Sequence, residues 1–139
     1  MAEKADRTYS RDPFYDWLVR EILLVFEFLS SEWGMKRKPV AASVRGCWVS
    51  YEAAEVRIQV GAEMGGRPEC DLIASGIRQS LKCLIEKRWP ASRLPPRPEY
   101  DGIEREKLDF SDVLRRYAVV LRDHRSDLLK TNTPDDSPL

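Results

Sequence analysis

The sequence predicts an α+β domain built as an N-terminal helix, a four-stranded antiparallel meander, and two further helices packed on the sheet. Three observations lead there. Apolar residues recur at steps of three and four between Phe14 and Leu29; the period falls to two across Cys47–Ala74; and the helical spacing returns after Gly76. At 139 residues the chain has the size of one domain with one core. That domain is expected to span residues 12–130, between a mobile N-terminal segment, 1–11, and a mobile tail, 131–139, that is rich in Pro, Asp and Ser.

The first helix is set by Asp12-Pro13, where Asp12 can cap free backbone N–H groups and Pro13 suits the first turn. Phe14, Leu18, Ile22, Val25 and Leu29 form one stripe, and Val19, Leu23 and Phe26 widen it. Gly34 can take the left-handed conformation that closes a helix, so the element is placed over 13–33.

The sheet follows. Residues 36–44 are poor in apolar side chains and carry Pro39, which has no N–H for a ladder, and Lys36, Arg37 and Lys38 guard an edge against stray pairing. Cys47, Val49 and Tyr51 share one strand face, with Trp48 and Ser50 on the other. Val56, Ile58 and Val60 alternate with Arg57 and Gln59, and Cys70, Leu72 and Ala74 alternate with Asp71 and Ile73. Gly65-Gly66 lies in the connection between these two strands and lacks the Lys-Ser or Lys-Thr of a phosphate cradle.

Ile77, Leu81, Leu84, Ile85 and Trp89 lie on one side of a second helix, placed over 77–89 and stopped by Pro90. Residues 90–107 hold Pro95, Pro96, Pro98 and Gly102 among charges and read as a Pro-rich surface arm. A third helix starts at Asp109 or Ser111 and presents Phe110, Val113, Leu114, Tyr117, Leu121 and Leu128 until about residue 129. The first and third helices are expected to share one face of the sheet.

Charge is balanced over the whole chain but not along it: residues 1–34, 35–98 and 99–139 carry nets of −3, +6 and −3. A basic sheet beside acidic helices accounts for that, and no global field draws a polyanion or a membrane. Cys47, Cys70 and Cys83 are widely spaced and form neither a CxxC nor a Cys/His set, so no metal and no disulfide framework is expected. The N-terminus is polar and the longest apolar run, Ile22–Phe26, is too short to span a bilayer, which places the chain in the cytoplasm. His124 falls late in the third helix as a helical histidine, and no spacing selects a carboxylate pair among Glu52, Glu55, Glu63, Glu69 and Asp71. No catalytic residue and no cofactor is therefore assigned.

Aromatic and guanidinium groups are the more informative supply. Trp, Tyr and Arg concentrate at the centres of protein interfaces because they bury large areas while keeping a polar handle. Trp33, Trp48 and Trp89, with Arg93 and Arg97 on the arm, are the expected partner-binding residues.

Phe28-Leu29, Trp33-Gly34-Met35 closing the first helix, Val49-Tyr51-Glu52 and Val56-Ile58-Val60 as paired strands, and Leu108-Asp109-Phe110 ahead of Val113-Leu114 resemble a set of small bacterial proteins. Most of these have no known function, and some are toxin-immunity proteins. The resemblance covers separated pieces of the chain, and the insertion Ile77–Lys107 departs from it. It implies an α+β fold and protein binding, and it carries over no catalytic residue.

The expectation is a non-catalytic protein–protein interaction module, an immunity-like or accessory factor, with a homodimer as one form of partnership. A nucleic-acid-associated role, using the basic residues of 35–98, is the runner-up. A small enzyme with an unidentified site comes third.

Overall fold

The structure, a computed structural model, describes residues 8–129. It is α+β with one antiparallel sheet and helices on one of its faces. Tyr9 and Ser10, read above as part of a loose end, are hydrogen-bonded: both backbone N–H groups donate to Asp16 Oδ1, at 2.6 and 3.3 Å. Of the expected loose ends, 1–7 and 131–139 lie outside the described residues, as does residue 130 of the expected domain.

The first helix, α1 (Pro13–Val25), begins as the sequence predicts, with Asp12 accepting from the Phe14 N–H at 2.9 Å. It does not run to residue 33. It stops at Phe26, and a single turn, α2 (Phe28–Ser31), follows. Phe26 and Phe28 would stand about 200° apart on a continuous helix. The break lets both enter the core, where they are 0% and 3% exposed. Gly34, at φ +71°, then turns the chain into the sheet.

The sheet has six strands where four were expected. The predicted edge strand is two short ones, β1 (Lys36–Arg37) and β2 (Ala41–Ser43), both paired with β3 (Gly46–Ala53); the ladder fails between them around Pro39. Next come β4 (Val56–Glu63) and β5 (Glu69–Ala74), in register through Val49↔Val60 and Val60↔Cys70. The sixth strand, β6 (Ile77–Ser80), replaces the first turn of the predicted second helix. Ser75 and Gly76, at φ +54° and +78°, make a two-residue hairpin turn that folds Ile77 back opposite Ala74. Ser80 then caps α3 (Leu81–Arg88), accepting from the Cys83 N–H at 3.3 Å.

After a 3-10 turn at Pro90–Ser92 the chain is irregular up to Gly102. The last long helix, α4 (Ile103–Asp123), starts six residues ahead of Asp109. Its opening turns leave Ile103 and Leu108 exposed, so they carry no apolar stripe to read. The helix breaks at His124 before α5 (Arg125–Leu129). Cys47, Val49, Tyr51, Ile58, Val60 and Leu72 on the sheet, with Leu18 and Ile22 of α1, Leu81 and Ile85 of α3, and Phe110, Leu114 and Leu121 of α4, form a single core. No helix among the described residues is long and apolar enough to cross a membrane.

The arm is clasped to the sheet end. Arg67, in the β4–β5 connection, donates from Nε and Nη2 to the two Asp109 carboxylate oxygens at 3.0 and 2.8 Å, and from Nη1 to the Pro95 carbonyl at 2.8 Å. The Tyr100 hydroxyl donates to Asp109 Oδ2 at 2.6 Å. Burial works to raise the Asp109 carboxyl, but the hydrogen bonds from Arg67 and Tyr100 outweigh it and hold it below its ordinary value.

Candidate partner surface

Strand alternation sends every second side chain away from the helices. On that outer face stand Trp48, Ser50 and Glu52 of β3, Arg57 and Gln59 of β4, Asp71 and Ile73 of β5, and Arg78 of β6. Its charges are paired within the face, two carboxylates serving three cations. Glu52 meets Arg57 at 3.1 Å and Lys38 at 3.8 Å, while Arg78 donates to Asp71 at 2.6 Å and to Gln59 at 3.1 Å.

Trp48 is its large aromatic group. It pairs in register with Gly61, and a Cβ added there would lie 2.7 Å from the indole Cε3 and 2.0 Å from the Cys47 carbonyl oxygen. The indole therefore lies flat on bare backbone, using a glycine as its seat. Beside it runs a groove of about 780 Å³ whose lining includes Val40, Ala41, Trp48 and Met64 and the charged Arg45 and Glu63. Met64 is 68% exposed at its rim, and Val44 is 57% exposed in the adjoining β2–β3 turn. The Met64 N–H donates to the Arg45 carbonyl at 2.7 Å, which ties the two turns together.

The other four predicted residues lie elsewhere. Trp33 and Trp89 both reach the α4–α5 junction: Arg125 stands over the Trp33 ring at 4.8 Å, and Trp89 stacks on His124 with centroids 3.9 Å apart and planes 12° from parallel. Nearby, Arg122 covers Phe28 at 4.1 Å and pairs with Glu32 at 3.0 Å. These tryptophans brace helix ends against each other, with one ring face already occupied. Arg97 donates to the Gly65 carbonyl at 2.9 Å and stands over Tyr100 at 5.1 Å. Arg93 is exposed, and its side chain has no partner among the described residues.

Met64 and Val44 were missed because they sit in turns, outside every periodic stripe. The signal was there in another form, since large apolar residues inside polar turn sequences have no core to enter.

Chemical groups are scattered. Burial pushes the Cys47 thiol up to about 12 and raises Cys70 as well, which makes both poor nucleophiles, while Cys83 is exposed. Burial, then the charges of Asp71 and Glu63, raise the Glu69 carboxyl. No group of three His, Cys, Asp or Glu side chains among the described residues is placed to hold a metal ion.

Comparison with known proteins finds no matching family model, no matching curated protein and no matching solved structure.

Proposed function

We propose that this protein is a non-catalytic protein-binding module, immunity-like or accessory in kind, whose partner inserts apolar side chains into the groove beside Trp48. The observation that carries this reading is the convergence of half-buried Trp48 with Val40 and the exposed Met64 on one groove, with exposed Val44 in the adjoining turn. An aromatic anchor at a groove, rimmed by polar side chains, is the arrangement in which a few residues supply most of the binding energy. Pairing of Lys38, Arg57 and Arg78 with Glu52 and Asp71 weakens the nucleic-acid alternative, since a phosphate would have to displace a carboxylate at each of these cations.

The test uses tagged full-length protein beside two variants, Met64→Asp and Trp48→Ala, each checked for folding by circular dichroism. Met64 is exposed and outside the core, so its variant is expected to fold. A single protein captured by wild type and lost at least tenfold by Met64→Asp, with hydrogen-exchange protection over 40–48 and 61–64, would support the proposal. Capture that survives Met64→Asp, or protection centred on the α4–α5 junction, would sink it. A concentration-dependent homodimer, seen by sedimentation and lost in Met64→Asp, would make the partner a second copy of this chain.

A further inference from the structure

A second concavity, of about 530 Å³, lies on the helix side of the sheet, where the break between α1 and α2 opens over β1 and β3. Its walls are Tyr9, Leu23, Leu24, Glu27, Ser30 and Arg20, the last paired with Asp16 at 3.3 Å, and its base is Arg37 and Tyr51. Arg37 and Tyr51 are direct cross-strand partners, which brings their side chains to adjacent positions on one face.

One feature of this base is costly unless something uses it, and a second stands ready beside it. Tyr51 is 1% exposed, and its hydroxyl is the one buried side-chain polar atom among the described residues that has no hydrogen-bond partner. Arg37 has neither an ion pair nor a side-chain hydrogen bond among the described residues, although its charge and that of Glu27 both act on the Tyr51 hydroxyl. An exposed guanidinium and, beneath the surface beside it, a buried phenol are thus both donors without an acceptor among the described residues. Leu24, 73% exposed, supplies an apolar wall beside them.

We infer that this pocket binds a small carboxylate with a branched or aromatic apolar body. The carboxylate oxygens accept from Arg37 and from the Tyr51 hydroxyl, and the apolar body lies on Leu23 and Leu24. Glu27, which also lines the pocket and whose charge reaches the Tyr51 hydroxyl, favours a ligand that also carries an ammonium group, as an apolar α-amino acid does. The hydroxyl lies below the surface, so the exposed side chains of Arg37 and Glu27 part to admit the ligand oxygen. Such side-chain rotations are fast and local.

The test is a titration followed by amide chemical shifts, with three probes of nearly the same apolar body: leucine, 4-methylpentanoate, which lacks its ammonium, and 3-methylbutylamine, which lacks its carboxylate. At about 10 mM a ligand with a Kd near 1 mM occupies roughly nine-tenths of the protein. Leucine and 4-methylpentanoate are expected to shift amides of 23–30, 37 and 51, leucine binding the more tightly, and the amine to shift none. Arg37→Ala should weaken 4-methylpentanoate at least tenfold, and Tyr51→Phe several-fold, while Tyr51→Phe unfolds at no lower urea concentration than wild type. No shifts with either carboxylate, equal shifts with the amine, or binding untouched by Arg37→Ala would overturn the inference.

Discussion

Gly61 shows how one missing side chain sets what a sheet face can present. The Trp48 indole occupies the space that a Cβ at residue 61 would need, and the Cys47 carbonyl leaves no room either. Gly61→Ala is therefore expected to destabilise by about 3 kcal/mol, because backbone and not only a ring must move. Trp48→Ala should cost less, about 1–2 kcal/mol, since a half-buried ring is lost without strain. In the double variant the two costs should fall short of additivity, because the clash with the ring has gone while that with the carbonyl remains. Urea denaturation of the four proteins measures this, and full additivity would mean that the indole does not rest on Gly61. The sequence placed Trp48 on the face away from Cys47 and Val49, since alternation decides that. It gave no sign that Gly61 was its seat, because register between strands is a long-range property.

At the scale of elements, helices and strands were legible where one face is buried and illegible where a local turn overrode periodicity. Ile77, Leu81, Leu84 and Ile85 fit a helical stripe, but Ser75-Gly76 folds residues 77–80 into a strand first, and the stripe is honoured only from Leu81. Likewise α4 begins at Ile103 because Gly102 permits the turn and Glu104 and Glu106 suit a helix start; with no buried stripe there, only the capping end marked it. The arm ahead of α4 depends on the Arg67–Asp109 pair, whose side chains are 15% and 7% exposed. Arg67→Ala leaves a largely buried carboxylate with Tyr100 as its hydrogen-bond donor and should cost about 2–4 kcal/mol near pH 7. The pH dependence follows from the sign of the shift. The Asp109 carboxyl is held below its unfolded value, about 3.9, so its contribution is present above that pH and is lost as pH falls through the lower folded value. The gap between wild type and Arg67→Ala is thus expected to narrow below about pH 4, and a constant gap from pH 7 downward would show that the pair does not hold the fold.

For the whole molecule, the linear charge pattern and the folded charge pattern tell different stories. The middle of the chain carries a net of +6, which invites a polyanion. Folding brings several of those cations to carboxylates: Lys38 and Arg57 meet Glu52, Arg78 meets Asp71, Lys82 meets Glu86, and Arg67 crosses to Asp109 in the acidic C-terminal part. The +6 was legible, and of these pairs only Arg67–Asp109 draws on charge outside that stretch; which cations the stretch's own carboxylates hold was not legible, because most of the pairs join residues on different strands or on different thirds of the chain. A polyanion would have to displace these carboxylates before releasing counterions of its own, so the slope of affinity against salt should reflect only one or two phosphate contacts. Full-length protein is therefore expected to leave a heparin column at or below about 0.2 M NaCl, where weak, screened contacts fail. Fluorescence titration with single-stranded DNA should follow the same course, without quenching of Trp48 by stacked bases. Retention beyond about 0.5 M NaCl, together with Trp48 quenching, would mean that the outer sheet face opens its ion pairs for nucleic acid. That result would move the groove beside Trp48 from a protein surface to a stacking platform.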